Sequence, residues 1–478
     1  MKDKLKKAVI LLIWLGLWQL TALFVSNPIY FATPVETLRE LFVKLREAAF
    51  WQSLLGSMLR ILCGFFAASF LAFLLAFAAQ RYGWLKEFLA PFVSFLKSVP
   101  VTAVAVILLI WWGPRYLVLC ISLMVVFPNV YSNMQAGITH ADKELLEMAA
   151  VFRLRPAERF LWIYRPAYLP YLHSAVSVSL GMCFKSGIAA EIIGLPEFSI
   201  GERLYRDKIY LNTAGVFAWV IVILLLSSLT ERLIMRLLKL LSKLPAACLR
   251  PETCGGEEDA LNTGASFADG LPEGYTIYAE HIVKSYEGRT LVDTEVKLKA
   301  GKIAYLKAPS GEGKSTLLGM LAGTVIPDRG SVAAGRLSMV FQEDRLVESA
   351  NALRNLKLAG CTGDLAAEVR KLLPERTLML PASELSGGER RRVAVMRALL
   401  HPSDAVIMDE AFTGLDEETK QKTLDWIRLK LEGRSLLFAS HGTEAELFYD
   451  AEEIMLNADP GNADDKGVSE GGVKAEGE

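Results

Sequence analysis

The chain has 478 residues, with 52 Lys and Arg against 53 Asp and Glu, and its net charge of −1 conceals two unlike halves. Residues 1–250 hold 26 basic against 14 acidic residues together with nearly all the long apolar runs, whereas residues 251–478 hold 26 against 39. That length predicts two or three domains rather than one core, and six cysteines at 63, 120, 183, 248, 254 and 361 without a Cys-x-x-Cys pair argue against a zinc site or a disulfide framework.

The first apolar run, Ala8 to Val25, follows Lys2, Lys4, Lys6 and Lys7. No small-residue cleavage site follows it, so it reads as a retained membrane helix rather than a signal peptide. Further apolar segments over roughly 57–79, 88–112, 116–136, 173–195 and 213–235 approach the length of about 20 residues that spans a bilayer. Six crossings return the chain to its starting side. The lysines at the start, the arginines within 137–172 and the run Arg232, Arg236, Lys239, Lys243 and Arg250 then share one face, which the bias of Lys and Arg makes cytoplasmic. Arg39, Lys44 and Arg46 on the other side are offset by Glu36, Glu40 and Glu47.

The long loop of that half reads Glu144-Leu145-Leu146-Glu147-Met148-Ala149-Ala150, then Arg153, then Ile163-Tyr164-Arg165-Pro166-Ala167-Tyr168-Leu169-Pro170, a helix that turns at prolines and returns to the membrane. It resembles the EAA coupling loop of binding-protein-dependent ABC importers, in which a short helix docks on the ATPase. The resemblance makes Glu147, Ala149, Ala150 and Arg153 the candidate coupling residues. Three positions depart from it: Met148 at the middle residue, Arg153 where Gly is usual, and Arg165 where Leu commonly precedes the first Pro. Phe31-Ala32-Thr33-Pro34 and Phe184-Lys185-Ser186-Gly187-Ile188-Ala189-Ala190-Glu191 resemble the nitrate, sulfonate and taurine branch, which also handles pyrimidine vitamin precursors. Lys185 and Glu191 are candidate pathway residues, because a charge in an apolar helix costs at least about 2.5 kcal/mol near the bilayer centre unless it faces protein or water. The other reading is that each ties its helix to a neighbour. Six residues apart, they lie about 120° apart around a helix, too far for contact with each other.

Between Pro251 and Gly274 the chain turns to Gly, Glu, Asp, Asn and Ser, so residues 246–274 read as a linker and 457–478 as a disordered tail. A β-rich stretch from Tyr275 then leads into Ala308-Pro309-Ser310-Gly311-Glu312-Gly313-Lys314-Ser315-Thr316 and a helical Leu317-Leu318 run. Strand, Gly-rich loop and helix in that order form a phosphate cradle of inward backbone N–H groups, with Ser310, Gly311, Gly313, Lys314, Ser315 and Thr316 as ATP-binding residues. Lys314 reaches the β and γ phosphates and Ser315 can ligate Mg²⁺. Ala308 stands where the strict pattern has its first Gly, the smallest change possible away from the crowded glycines.

The segments that follow resemble an ABC ATPase in order and spacing. Gln342 resembles the Q-loop residue that touches Mg²⁺. Leu385-Ser386-Gly387-Gly388-Glu389 resembles the signature sequence, with Glu where Gln is commoner; Ser386, Gly387 and Gly388 would cap the γ-phosphate of an ATP held by another ATPase domain. Ala405-Val406-Ile407-Met408-Asp409-Glu410 ends a buried strand in two acids, Asp409 for Mg²⁺ and Glu410 as general base, the other reading of such a pair being a helix cap. Asp416 resembles the D-loop residue, His441 the switch histidine, and Tyr286 is a candidate for stacking on adenine.

The expected architecture is an all-α membrane domain over 1–245 with its coupling loop at about 137–172, and an α/β P-loop ATPase domain over 275–456. The resemblance implies ATP and Mg²⁺ as cofactors, a second copy of the chain to complete each site, and a separate extracytoplasmic substrate-binding protein as partner. Lipid surrounds the first half; nucleic acid is excluded by it. Two alternatives remain at this stage: an exporter half-transporter, which fusion favours and the loop disfavours, and an ATP-driven membrane switch that moves no solute.

Overall fold

The computed structural model describes residues 2–243, 270–286, 289–307, 313–439 and 451–455. The linker lies almost wholly outside them, and the tail wholly so. The chain packs as two units: Met1–Ala141 with Tyr164–Arg250, and Asp142–Ile163 with Pro251–Glu478. The loop residues thus belong, by packing, to the unit that carries the ATPase motifs.

The first unit is helical. Helix α1 (Lys2–Val25) is followed by α2 (Pro34–Leu45), α3 (Ala48–Arg81), α4 (Gly83–Ser98) and α5 (Val101–Thr139). Two short helices of the other unit, α6 (Lys143–Val151) and α7 (Pro156–Arg159), intervene before α8 (Arg165–Gly194), α9 (Ile200–Ile209) and α10 (Thr213–Lys243). The start of α2 explains the Phe31-Ala32-Thr33-Pro34 motif: Thr33 Oγ1 accepts from Glu36 N, Glu36 Oε2 accepts from Thr33 N, and Pro34 takes the first turn, where no N–H is needed.

Among the described residues four helices are long and apolar enough to cross a membrane, Ala48–Arg81, Val101–Thr139, Pro156–Gly194 and Thr213–Ser242, with a shorter apolar stretch at Val9–Val25. The segment expected as one crossing over 88–112 is divided differently. Helix α4 ends at Ser98, because Val99 before Pro100 is pushed out of the helical region, and α5 then runs on through residue 112 to Thr139 with a bend at Gly113 (φ 74°) before Pro114. Helices α3, α5 and α8 pack together at the centre. Small residues permit this: a Cβ on Gly64 would lie 2.6 Å from Ser122 Cβ, and Ala68, Ala72 and Ala76 continue the same buried stripe of α3.

The second unit is α/β. An antiparallel sheet pairs β1 (Tyr275–Tyr286) with β2 (Arg289–Lys299) on one side and β4 (Arg329–Ala334) on the other. The core sheet is parallel, in the order β5 (Leu337–Val340), β6 (Ala405–Asp409), β7 (Ser435–Ala439), β3 (Ile303–Lys307), β8 (Glu452–Met455). Strands β5, β6 and β7 are buried at every position, which is why they read as unbroken apolar runs rather than alternating ones. Helices α11 (Lys314–Leu321), α12 (Ala352–Leu358), α13 (Leu365–Leu372), α14 (Gly387–Leu400) and α15 (Glu417–Leu431) complete the unit.

Candidate ATPase site and coupling loop

The carboxyl ends of the parallel strands collect the chemistry, as in other open α/β sheets. Strand β3 leads into the Gly-rich loop, β5 into Gln342, β6 ends at Asp409 and β7 ends at Ala439, immediately before Ser440 and His441. Ala308 to Glu312, including Ser310 and Gly311, lie outside the described residues, as does His441. Gly313 adopts φ 87°, and a Cβ there would meet Val292 Cγ2 at 2.8 Å and Leu291 O at 3.0 Å, so both conformation and space demand glycine. It opens α11, with Lys314 buried at the first turn and Thr316 half-buried behind it.

Ser315 Oγ donates to Asp409 Oδ2 at 2.9 Å across the gap between α11 and β6. Burial pushes the Asp409 carboxyl above its ordinary range, with Glu410 beside it acting the same way and the Ser315 hydrogen bond only partly opposing. A hydroxyl and a dehydrated carboxylate at hydrogen-bond distance are hard oxygen donors of the kind Mg²⁺ takes together with waters and phosphate oxygens, so these residues fit the ion. No cluster of three or more His, Cys, Asp or Glu stands ready to hold a metal unaided among the described residues. Glu410 follows in the left-handed region (φ 48°), its N–H donating to Ala439 O at 3.0 Å. The Gln342 side chain is exposed beyond β5, and Tyr286, half exposed, is the last residue of β1 rather than one that follows it.

The signature segment opens α14. Ser386 Oγ accepts from Glu389 N at 3.4 Å while Glu389 Oε2 accepts from Ser386 N at 3.0 Å, a reciprocal cap that glutamate and glutamine both satisfy. This accounts for Glu389 in place of Gln. Burial alone would raise its carboxyl, but the Ser386 backbone hydrogen bond and Arg376, 2.7 Å away, hold it below the ordinary range. A Cβ on Gly387 would meet nothing and one on Gly388 would make only ordinary contact, with Leu415 Cδ2 at 3.4 Å and Gly414 O at 3.7 Å, so this backbone is open to a ligand. Asp416 caps α15 by accepting from Thr419 N at 2.9 Å.

Residues Asp142–Ile163 of the candidate coupling loop are seated in the core of the same unit. Asp142 caps α6, accepting from the N–H groups of Glu144 and Leu145. Met148, Ala149 (0% exposed), Phe152 and Leu154 join the ATPase residues in one buried cluster, so the departure at Met148 is absorbed by a flexible side chain that fills the contact. Glu147 Oε2 accepts from Arg345 Nη1 at 2.6 Å, and Arg345 lies 4.1 Å over the Phe341 ring. Phe152 receives the Arg397 guanidinium at 5.0 Å and the edge of His401 at 5.3 Å, and Arg354 lies over Trp162 at 5.2 Å. The motif marked Glu147, Ala149 and Ala150, but Phe152 and Trp162, which supply the aromatic contacts, carry no motif and only their bulk beside the helix signalled them.

Arg153 explains why Gly is usual at its position. It closes α6 in the left-handed region (φ 48°), with Arg153 N donating to Ala150 O at 3.1 Å and Leu154 N to Ala149 O at 2.9 Å, the pattern of a Schellman cap. Its side chain is exposed. Arg153→Gly removes the strain of that conformation, roughly 1–2 kcal/mol for a side-chain residue. The variant is expected to unfold about 2–8 °C higher by scanning calorimetry of the purified chain; an unchanged or lower midpoint would contradict the assignment.

His401 sets a pH limit on this seat. Burial, with the arginines Arg336, Arg153 and Arg434 around it, holds its imidazole below the ordinary range despite the contact of Nδ1 with Ala359 O at 2.6 Å. The folded unit therefore favours neutral His401. Its contribution is complete above about pH 6.5 and is lost as pH falls from there towards the lower folded value. Urea midpoints at pH 7.5 and 5.5 should differ more in the parent chain than in His401→Asn.

Both halves of the chain match known families. Residues 61–242 match the family described as the binding-protein-dependent transport system inner membrane component, and residues 291–413 the family described as ABC transporter. An aliphatic sulfonates import ATP-binding protein of Rhodococcus jostii is 36% identical over 186 residues, covering 36% of this chain and 74% of that protein. The chain belongs to the ABC transporter family. A taurine import ATP-binding protein of Pseudomonas aeruginosa is 32% identical over 210 residues, 38% of this chain and 79% of the relative. A Nod factor export ATP-binding protein of Ralstonia nicotianae is 33% identical over 191 residues, 34% of this chain and 59% of the relative. Cassettes of import and export systems thus both align, and it is the permease half that makes this ABC transporter importer-like. It joins permease and ATPase in one polypeptide, and ATP hydrolysis by the second is coupled to transport by the first.

In the permease half of this ABC transporter the two candidate pathway residues part company. Lys185 is exposed on α8. Glu191 is fully buried: Ser57 Oγ donates to it at 2.6 Å, Arg60 Nε at 3.2 Å and Gly201 N at 3.1 Å, while Ser57 Oγ accepts from Ile200 N at 2.8 Å. Glu191 thereby ties α8 to α3 and to the first turn of α9, where a carboxylate also meets the positive helix end. Arg165, the third departure of the loop motif, donates to Leu241 O and Ser242 O at the end of α10.

Proposed function

We propose that this chain is the membrane and motor subunit of a homodimeric importer for small sulfonates of the taurine type, delivered by a separate extracytoplasmic binding protein. The observation that carries the coupling part of this reading is the seat of Asp142–Ile163, permease residues by their place in the chain, inside the ATPase core. The substrate class is supported by the names of the sulfonate and taurine import relatives. The excess of Lys and Arg in the loop and after α10 supports a cytoplasmic location for the ATPase and the N-terminus.

In this reading Lys314 and the backbone of Ser310 to Gly313 hold the β and γ phosphates of ATP, with Ser315 and Thr316 at the helix start and Tyr286 against the adenine. Ser315, Asp409 and Gln342 are the residues that would hold Mg²⁺, which when bound would supply neutralisation of the charge developing on the phosphates. Glu410 accepts a proton from the attacking water, and His441 contacts the γ-phosphate. Ser386, Gly387 and Gly388 of the second copy close over that phosphate, and Asp416 lines the same seam. Closure of the two ATPase units moves α6 and so the permease helices. Lys185, exposed on α8, is the stronger of the two pathway candidates, Glu191 having the character of an internal tie.

The test is uptake and ATP hydrolysis by the purified chain in proteoliposomes, with a binding protein loaded with taurine, an alkanesulfonate, nitrate or nothing. Stimulation of both by a sulfonate-loaded binding protein is expected. Hydrolysis that ignores every binding protein yet rises with hydrophobic compounds would reverse the direction of transport.

A further inference from the structure

We infer that Arg391 is a positioning residue through which the seated coupling loop holds the backbone of Glu410 in its working conformation. The inference rests on the reading of Glu410 as general base.

Arg391 projects from α14 and is 3% exposed. Its guanidinium bridges the exits of two neighbouring strands. Nη1 donates to Phe341 O at 2.7 Å and Gln342 O at 3.1 Å, past the end of β5, and lies 3.3 Å from Asp344 Oδ1. Nη2 donates to Asp409 O at 2.8 Å and Glu410 O at 2.6 Å, at the end of β6, and Nε to Ala411 O at 3.1 Å. All five N–H donors of a guanidinium point in a fixed fork, so one rigid plane sets the spacing of both exits. Glu410 needs such a brace, because its left-handed backbone persists only where the surroundings over-determine it.

The far end of the 341–345 segment is held by the loop. Arg397, 0% exposed, donates through Nη1 to Arg345 O at 2.6 Å and through Nη2 to Asp344 O at 3.0 Å, and its guanidinium covers Phe152. Arg345 itself pairs with Glu147. Residues 341–345 are therefore a short strut: Phe152 and Glu147 bear on one end through Arg397 and Arg345, and Arg391 joins the other to Asp409 and Glu410. A shift of the loop along this strut reaches Glu410 O without passing through the side chain of Gln342.

The experiment is a double-mutant cycle on the full chain in nanodiscs, with kcat and KM for ATP measured for Arg391→Lys, Phe152→Leu, the double variant and Glu410→Gln. Arg391→Lys keeps the charge and loses the fork, so kcat is expected to fall at least about tenfold while KM moves less than about threefold. Phe152→Leu should lower kcat about fivefold in the parent but by less than about twofold beside Arg391→Lys, since both act through one strut. Independent, multiplying effects, or a rise in KM that accounts for the loss, would overturn the inference. If Arg391→Lys does not fold, the same cycle with Asp344→Asn in its place decides the matter by the same criterion. A Glu410→Gln variant that hydrolyses at the parent rate would instead remove the general-base reading, whatever the cycle returns.

Discussion

Glu410→Gln is expected to lower ATP turnover by a factor of about 10²–10⁴, the range that a positioned general base contributes. Gln matches the shape of Glu and faces the same left-handed backbone at φ 48°, so the strand exit, the Arg391 contacts and the Ser315 to Asp409 hydrogen bond should survive. Affinity for ATP should therefore stay within about threefold of the parent, which separates a lost chemical step from a lost binding site. Single-turnover hydrolysis together with equilibrium binding of a labelled nucleotide measures both. A variant that still turns over within threefold of the parent rate would move the base elsewhere on the strand ends.

Phe152→Ala has the second largest expected effect, this time on transport. The ring is 3% exposed, covered by Arg397 and edged by His401, and truncating a buried aromatic costs about 3–5 kcal/mol. That exceeds what the exposed end of the Glu147 to Arg345 pair can restore, so the loop should leave its seat for much of the time. Uptake is expected to fall at least about tenfold more than ATP hydrolysis, so that solute moved per ATP drops by that factor. Measuring both rates in the same proteoliposomes gives the ratio; equal loss in both would mean that the ring supports hydrolysis, through the strut or the fold, and not the coupling of hydrolysis to transport.

The motifs were legible wherever the chemistry is local to the chain. The Gly-rich loop, the signature and the strand ending in Asp409 and Glu410 are runs of adjacent residues, and the described parts of each lie where the spacing placed them. The division of the apolar half into helices was less legible. Apolar composition alone does not distinguish one crossing from two broken pieces, and the break at Val99-Pro100 and the bend at Gly113 depend on backbone geometry at single residues. Lys185 and Glu191 looked alike in sequence, both charges in one apolar run, and only their neighbours on α3 and α9 separated them.

By itself the sequence determined what short-range geometry can specify: the glycine at 313, whose backbone no side-chain residue adopts easily, the reciprocal caps Thr33 with Glu36 and Ser386 with Glu389, and the buried parallel strands. These depend on residues three or four apart or on a continuous apolar run, so the information sits in one window. Tertiary structure alone decided the contacts that join distant windows. Ser315 meets Asp409 across 94 residues, Arg345 meets Glu147 across 198, and Arg391 gathers carbonyls from two strand exits. An arginine in a run of three gives no sign in sequence of which one is buried, because burial follows from the face of α14 that the sheet happens to cover.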